Sequence, residues 1–326
     1  MPAEPGQGRA TQTWALRIVE WAVVVLVVSA GVVPTALADS STPRLAAYYD
    51  RFLAVCAGAA YEWTGDDKPK QVLRDVVQVG VGENESYALT GDGRVHAWSS
   101  DARQTVVLLE GVKSFAAGST GVLAIKADAS LWRVERGGSL ASGRGQTVMT
   151  PVAKNVKAAS VGDGTNYYVT EDGNLFALGN AHRGQYGDGR LDGTATYVRV
   201  ATGARDIKSH TGHAILLNDR GEVQGTGGNI YGPLGRHGLG DKAVRWGLIL
   251  SGATDIATGA SHSLAIRADR SLWIWGRNES PDPRSVLANV IGVAAGLDTS
   301  IALTQDGVLW QWRTGARPRR IFDCVP

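Results

Sequence analysis

The chain has 326 residues, 44% of them hydrophobic and 20% charged, with 42 Gly, 11 Pro and two Cys. That balance excludes a disordered polyelectrolyte, and two cysteines exclude a disulfide-stapled miniprotein. Lys plus Arg number 33 against 31 Asp plus Glu, and the resulting +2 gives no general drive toward nucleic acid or anionic lipid.

The first 38 residues differ from the rest. Arg9 and Arg17 precede an apolar run from Trp21 to Val33 that ends at Pro34, and Ala36-Leu37-Ala38 before Asp39 suits a signal peptidase. A positive stretch, a short apolar run and a small-x-small site predict a secretory signal over 1–38. Thirteen residues fall short of the roughly 30 Å hydrocarbon core. Glu20 and the partly apolar residues before Trp21 keep an uncleaved anchor as the alternative. Cleavage predicts a periplasmic or secreted mature protein.

An internal repeat organises residues 43–326. Copies anchored on Val55, Leu89, Ile125, Val169, Leu217, Ile266 and Leu303 are spaced 34, 36, 44, 48, 49 and 37 residues apart. Gly82, Gly118, Gly162, Gly259 and Gly296 stand seven residues before their anchors, while Tyr48 and His210 hold that place in the other two copies. Each copy then runs through a short apolar strand, a turn such as Asp92-Gly93, Asp172-Gly173 or Asp306-Gly307, and a second strand with alternating Trp or aliphatic residues. Asp-Gly between two period-2 runs is a hairpin signal. Valine-rich stretches at 71–79, 106–115, 198–207 and 286–293 supply an outer strand and lead into the next copy. Seven four-strand units of about 41 residues predict an all-β, seven-bladed β-propeller.

The run Gly259-Ala260-Ser261-His262-Ser263-Leu264-Ala265-Ile266, followed by Leu272-Trp273-Ile274-Trp275-Gly276-Arg277-Asn278, resembles the regulator of chromosome condensation repeat. Residues 178–187 (LGNAHRGQYG) and 227–235 (GGNIYGPLG) resemble the same family's loop, with Leu for Trp and Tyr for Leu in the first. The resemblance covers residues 45–325 and is greatest to exported bacterial members such as β-lactamase inhibitory protein II. It implies a propeller that presents loops at one end to a protein partner. The matching positions are the turns before each repeat's first apolar strand: Tyr48, Tyr49, Asp50, Glu83, Glu85, Asp163, Asn166, His210 and Asp298. Nuclear members act in guanine-nucleotide exchange, which the resemblance carries over only if the chain is not exported.

Other signals are weaker. Cys56 and Cys324 lie in the first and last copies, which abut if the ring closes; they form either a bridge or two separate buried thiols. A bridge would close a loop of roughly 267 residues, for which chain entropy gives about 5 kcal/mol as a ceiling. His210-x-x-His213 offers two metal ligands without a third, and residues 188–193 lack the spaced oxygens of a calcium loop, so no metal is expected. Arg313, Arg317, Arg319 and Arg320 predict a solvated strand face, and seven of the ten Trp fall on repeat strands as core residues. With no G-x-S-x-G, P-loop or H-E-x-x-H, the expectation is a noncatalytic binding protein without cofactor, monomeric, with an envelope or secreted protein as partner and neither nucleic acid nor membrane. A glycan-binding or glycan-cleaving propeller is the alternative; exposed loop Trp and paired carboxylates would mark it.

Overall fold

A computed structural model describes residues 44–99, 105–136, 146–237 and 240–324. The expected signal segment lies outside the described residues, among which no helix is long and apolar enough to cross a membrane. The repeats build seven four-stranded antiparallel sheets, each from consecutive strands, over residues 45–74, 76–109, 112–153, 156–201, 204–250, 253–287 and 290–323. Below, these are blades 1 to 7.

The innermost strands are Leu45–Tyr48, Val76–Val81, Val112–Gly118, Val156–Val161, Ala204–Ser209, Ala253–Thr258 and Val290–Ala295. Each touches the innermost strand of the next blade, and the seventh touches the first, so the ring is closed. The apolar strand that opens the repeat motif is therefore second in its blade. Each valine-rich stretch holds two strands, the outermost of one blade and the innermost of the next, as in Lys70–Arg74 and Val76–Val81.

The second and third strands are joined by tight hairpins: blades 2, 4, 5 and 7 turn on the expected Gly (Gly93, Gly173, Gly221 and Gly307), blades 3 and 6 turn without Gly, and blade 1 has the two-residue loop Ala57-Gly58. In blade 2 the Gly93 N–H donates to Thr90 O (2.9 Å) and Thr90 N–H to Arg94 O (2.9 Å), with Gly93 at φ 83°. Gly takes this left-handed position without strain, while Ala129 and Arg270 hold it in blades 3 and 6 at φ 60° and 63°. The Thr90 hydroxyl donates to Asp92 at 2.6 Å, and Thr304 does the same to Asp306 at 2.6 Å. Those hydroxyls hold both carboxyls below the ordinary range.

Seven apolar clusters fill the seven seams between blades, for example Leu89, Val95, Phe115 and Val134 between blades 2 and 3. Polar ties cross the same seams. His213 Nε2 lies 3.2 Å from Ser263 Oγ, and His262 Nε2 lies 2.9 Å from Ser300 Oγ. The His of blade 5 thus meets the Ser of blade 6, and the His of blade 6 meets the Ser of blade 7. The Trp275 and Ser263 donors both end on Pro233 O, at 2.7 and 2.9 Å, locking the long loop of blade 5 onto blade 6.

Among the described residues no strand is exchanged between the first and last blades, so closure depends on the seam between blades 7 and 1. Phe52, Trp63, Ile301 and Leu309 pack there. Trp63 Nε1 donates to Gln311 Oε1 (2.8 Å), Gln311 Nε2 to Gly65 O (2.8 Å), and Arg319 pairs with Asp66. Cys56 and Cys324 form a disulfide with Cα atoms 4.7 Å apart across a sequence separation of 268. Of the two readings left open for these cysteines, the structure takes the bridge.

Candidate functional site

Turns between innermost and second strands gather at one end of the ring, bonded blade to blade. Ser119 Oγ donates to Gly162 O (3.1 Å), Asp163 N to His210 O (3.2 Å), Ala260 N to Gly296 O (3.0 Å) and Leu297 N to Tyr49 O (2.9 Å). Here the recurring Gly has its reason. A Cβ on Gly118 would lie 2.3 Å from Val161 O, and one on Gly296 2.0 Å from Tyr49 O, because neighbouring backbones cross at these points.

The two copies that lack this Gly fill the axis. Tyr48 of blade 1 and His210 of blade 5 stack with ring centroids 5.4 Å apart, and Tyr49 packs edge-on against Tyr48 at 4.9 Å. The Tyr48 hydroxyl crosses to blade 4 and donates to Asp163 Oδ1 (2.9 Å); Thr211 Oγ1 donates to Asp163 Oδ2 (2.8 Å). Thr211 has one hydroxyl proton and gives it to Asp163, so its contact with His210 Nδ1 at 2.9 Å must be accepted from Nδ1–H. This assigns the tautomer: Nε2 is bare, buried, and has no partner among the described residues. Burial lowers the His210 pKa against the pull of Asp163. Burial also raises that of Asp163, but hydrogen bonds from Thr211 and Tyr48 leave it below the ordinary value. The Tyr48 hydroxyl is pushed up by burial and by its bond to Asp163, so it stays a donor.

Tyr49 is held unusually. Its φ is 54°, it is 43% exposed, and its carbonyl is fixed by Leu297 and crowded by Gly296. A bulky residue in the left-handed region persists only where its surroundings impose it.

The remaining expected positions play several parts. Asp50 is exposed and its carbonyl accepts from Gly65 N (2.8 Å); Glu83 is exposed and its carbonyl accepts from Arg51 (2.7 Å). The Glu85 carboxylate accepts from Tyr87 (2.8 Å), and Asp298 pairs with Arg277 (3.3 Å). Asn166 is buried and takes the Thr120 hydroxyl (2.9 Å), so it ties blades 3 and 4 and does not face solvent. Thr211 lies in the expected turn from His210 to Gly212, whereas Arg277, Ile230 and Tyr231 were not among the expected positions. Ile230 and Tyr231 are 69% and 52% exposed on the loop after the third strand of blade 5, and Arg277 stacks over Tyr231 at 4.9 Å. With Leu191 and Leu297 they put several exposed apolar side chains at this end, while no Trp among the described residues is exposed. The signal for the blade 5 pair was the Asn-Ile-Tyr-Gly run inside a family loop.

Geometry of this kind defines a propeller whose blades are structural and whose distinctive chemistry sits in the loops at one end. The chain is similar to RCC1-repeat propellers: the family model for the regulator of chromosome condensation (RCC1) repeat matches residues 253–280, within blade 6. The chain is 28% identical over 266 residues to the E3 ubiquitin-protein ligase HERC2 of Homo sapiens, covering 74% of this chain but only 5% of HERC2. It is 28% identical over 159 residues to the secretion-regulating guanine nucleotide exchange factor of Mus musculus, covering 44% of this chain and 34% of that protein. The solved structure of Prp20p from Saccharomyces cerevisiae, described with its binding to Gsp1p and histones, superposes with a TM-score of 0.67 at 17% identity, covering 79% of this chain and 81% of that one. That likeness shows the fold.

Proposed function

We propose that the chain is an exported, noncatalytic binding propeller, periplasmic or secreted, that docks a protein partner on the end carrying Tyr49. The observation that carries this is the presentation of Tyr49: exposed, left-handed, and supported by the Tyr48–His210 stack across the axis. An aromatic side chain fixed before binding loses little ordering entropy on docking, as interface anchors do. Export rests on the apolar run at 21–33 and the Ala36-Leu37-Ala38 site. The exposed loop aromatics are Tyr and not Trp, which favours a protein over a glycan. The likeness to an exchange factor and to Prp20p supports a protein partner, and an exchange-type regulator is the second reading if the chain is not exported.

The test is affinity capture from envelope and culture fractions with the full chain and its Tyr49→Ala variant, read by mass spectrometry. One protein recovered saturably by the wild type and lost by the variant supports the reading. Recovery unchanged by the variant, or recovery of polysaccharide alone, overturns it.

A further inference from the structure

We infer that the partner is a basic protein surface, with Lys or Arg side chains beside an apolar patch, seated over Tyr49 between an acidic sector and an apolar arc. This deepens the loop-end reading and rests on it. The seven turns from innermost to second strand carry Asp50, Glu83, Asp163 and Asp298 and not one Lys or Arg. The chain as a whole is +2, so this acidity is local to the axis.

Three of the cations beside these turns are held in place, while Arg313, paired in register with Thr299, is exposed. Arg51 reaches Gly82 O and Glu83 O, with its Nη1 buried. Arg277 pairs with Asp298 and lies over the Tyr231 ring. Arg183 packs over Gly212, where a Cβ would meet its side chain at 2.9 Å. Asp50, Glu83, Glu85 and Asp163 make no ion pair among the described residues.

The apolar arc starts where that sector ends. Tyr49 is joined by a backbone hydrogen bond to Leu297, which is 40% exposed; Asp298 follows it and leads through Arg277 to Tyr231. Tyr49 is the one residue in both sectors. Its ring offers a π-face to a cation while Asp50 stands next to it in sequence, a pairing that cation–π attraction and charge complementarity both favour. The same charge repels phosphate backbones and anionic headgroups, which rules toward protein. The rings beneath, Tyr48 at 4.9 Å and His210 at 6.4 Å, keep the anchor from collapsing when the partner leaves.

The full chain would be titrated into two fluorescein-labelled nine-residue probes, (Gly-Arg-Leu)3 and (Gly-Glu-Leu)3, followed by anisotropy. The proposal expects saturable binding of the Arg probe and none of the Glu probe. It also expects at least tenfold weaker binding in Tyr49→Ala and in Asp50→Asn/Glu83→Gln. Asp219→Asn, in a hairpin at the opposite end, should bind as the wild type does. Equal binding of both probes, or equal affinity in wild type and Tyr49→Ala, overturns the proposal. If a captured partner depends on Tyr49 while the Arg probe does not bind, the loop-end reading stands and the basic partner falls.

Discussion

Acid should destabilise this propeller through two histidines. His213 and His262 are buried in the seams of blades 5–6 and 6–7, and burial lowers each pKa to about 3. The unfolded chain takes up those protons near the ordinary value of about 6.5. Because the folded values are the lower ones, the stabilisation is complete above pH 6.5 and is lost as pH falls from 6.5 toward 3. At pH 5 the deficit is about 2 kcal/mol for each imidazole and about 4 kcal/mol for the pair. A domain of this size unfolds with an entropy of about 0.6 kcal/mol/K, so the pair lowers Tm by about 7 °C between pH 7.5 and pH 5. His213→Gln/His262→Gln places a neutral amide near each Nε2 position and removes the titration. Asp255, which burial pushes up to about 6, titrates in the same window with the opposite sign. It is present in both proteins and cancels from the comparison. Thermal scans of both at the two pH values should show the wild type losing about 7 °C more than the double variant. Equal losses would show that these imidazoles are already solvated or charged, and would refute the argument.

Three further outcomes are expected. Cys56→Ser/Cys324→Ser should lower stability by up to about 5 kcal/mol, with the gain in amide exchange concentrated in Leu45–Tyr48 and Val290–Ala295, where the ring closes without strand exchange; a uniform rise around the ring would contradict that closure. Gly296→Ala forces a Cβ to within 2.0 Å of Tyr49 O and should cost about 3 kcal/mol in urea unfolding; a cost below about 1 kcal/mol would mean that the crossing of the two backbones is slack. In the lumen, Lys208 pairs with Asp206 at 2.6 Å and leaves Asp255 with the weaker share. Asp255→Asn should gain on the order of 1 kcal/mol at pH 7.5, reduced by lumen water, and the gain should fade as pH drops through 6 toward 4. A loss at pH 7.5 would refute the assignment.

What the residues disclosed, and what they did not, follows from how a propeller is made. Blade count and the strand–turn–strand pattern were legible because they recur in every copy, and the strand tryptophans because they recur in five of the seven blades; a recurring pattern can be read against itself. The boundary between blades was not legible, because an outermost strand and the next innermost strand read as one valine-rich run, as at 71–79. The site follows the opposite rule. Its residues occur once, so repetition cannot announce them, and Ile230 and Tyr231 passed as part of a family loop. Yet Tyr48 and His210 were visible as the two copies in which the Gly before the anchor is replaced. The reason is steric. Where neighbouring backbones cross, Gly is forced, as at Gly118 and Gly296. A copy that carries a ring instead must send it elsewhere, and the space left is the axis. Two such rings meet there, and Asp163 holds one of them directly and the other through Thr211. In a repeat fold the positions that break the pattern against a steric demand are therefore the ones to suspect of function. By that rule Tyr48 and His210 are the support of the proposed site, and Tyr49, strained and exposed above them, is its proposed contact.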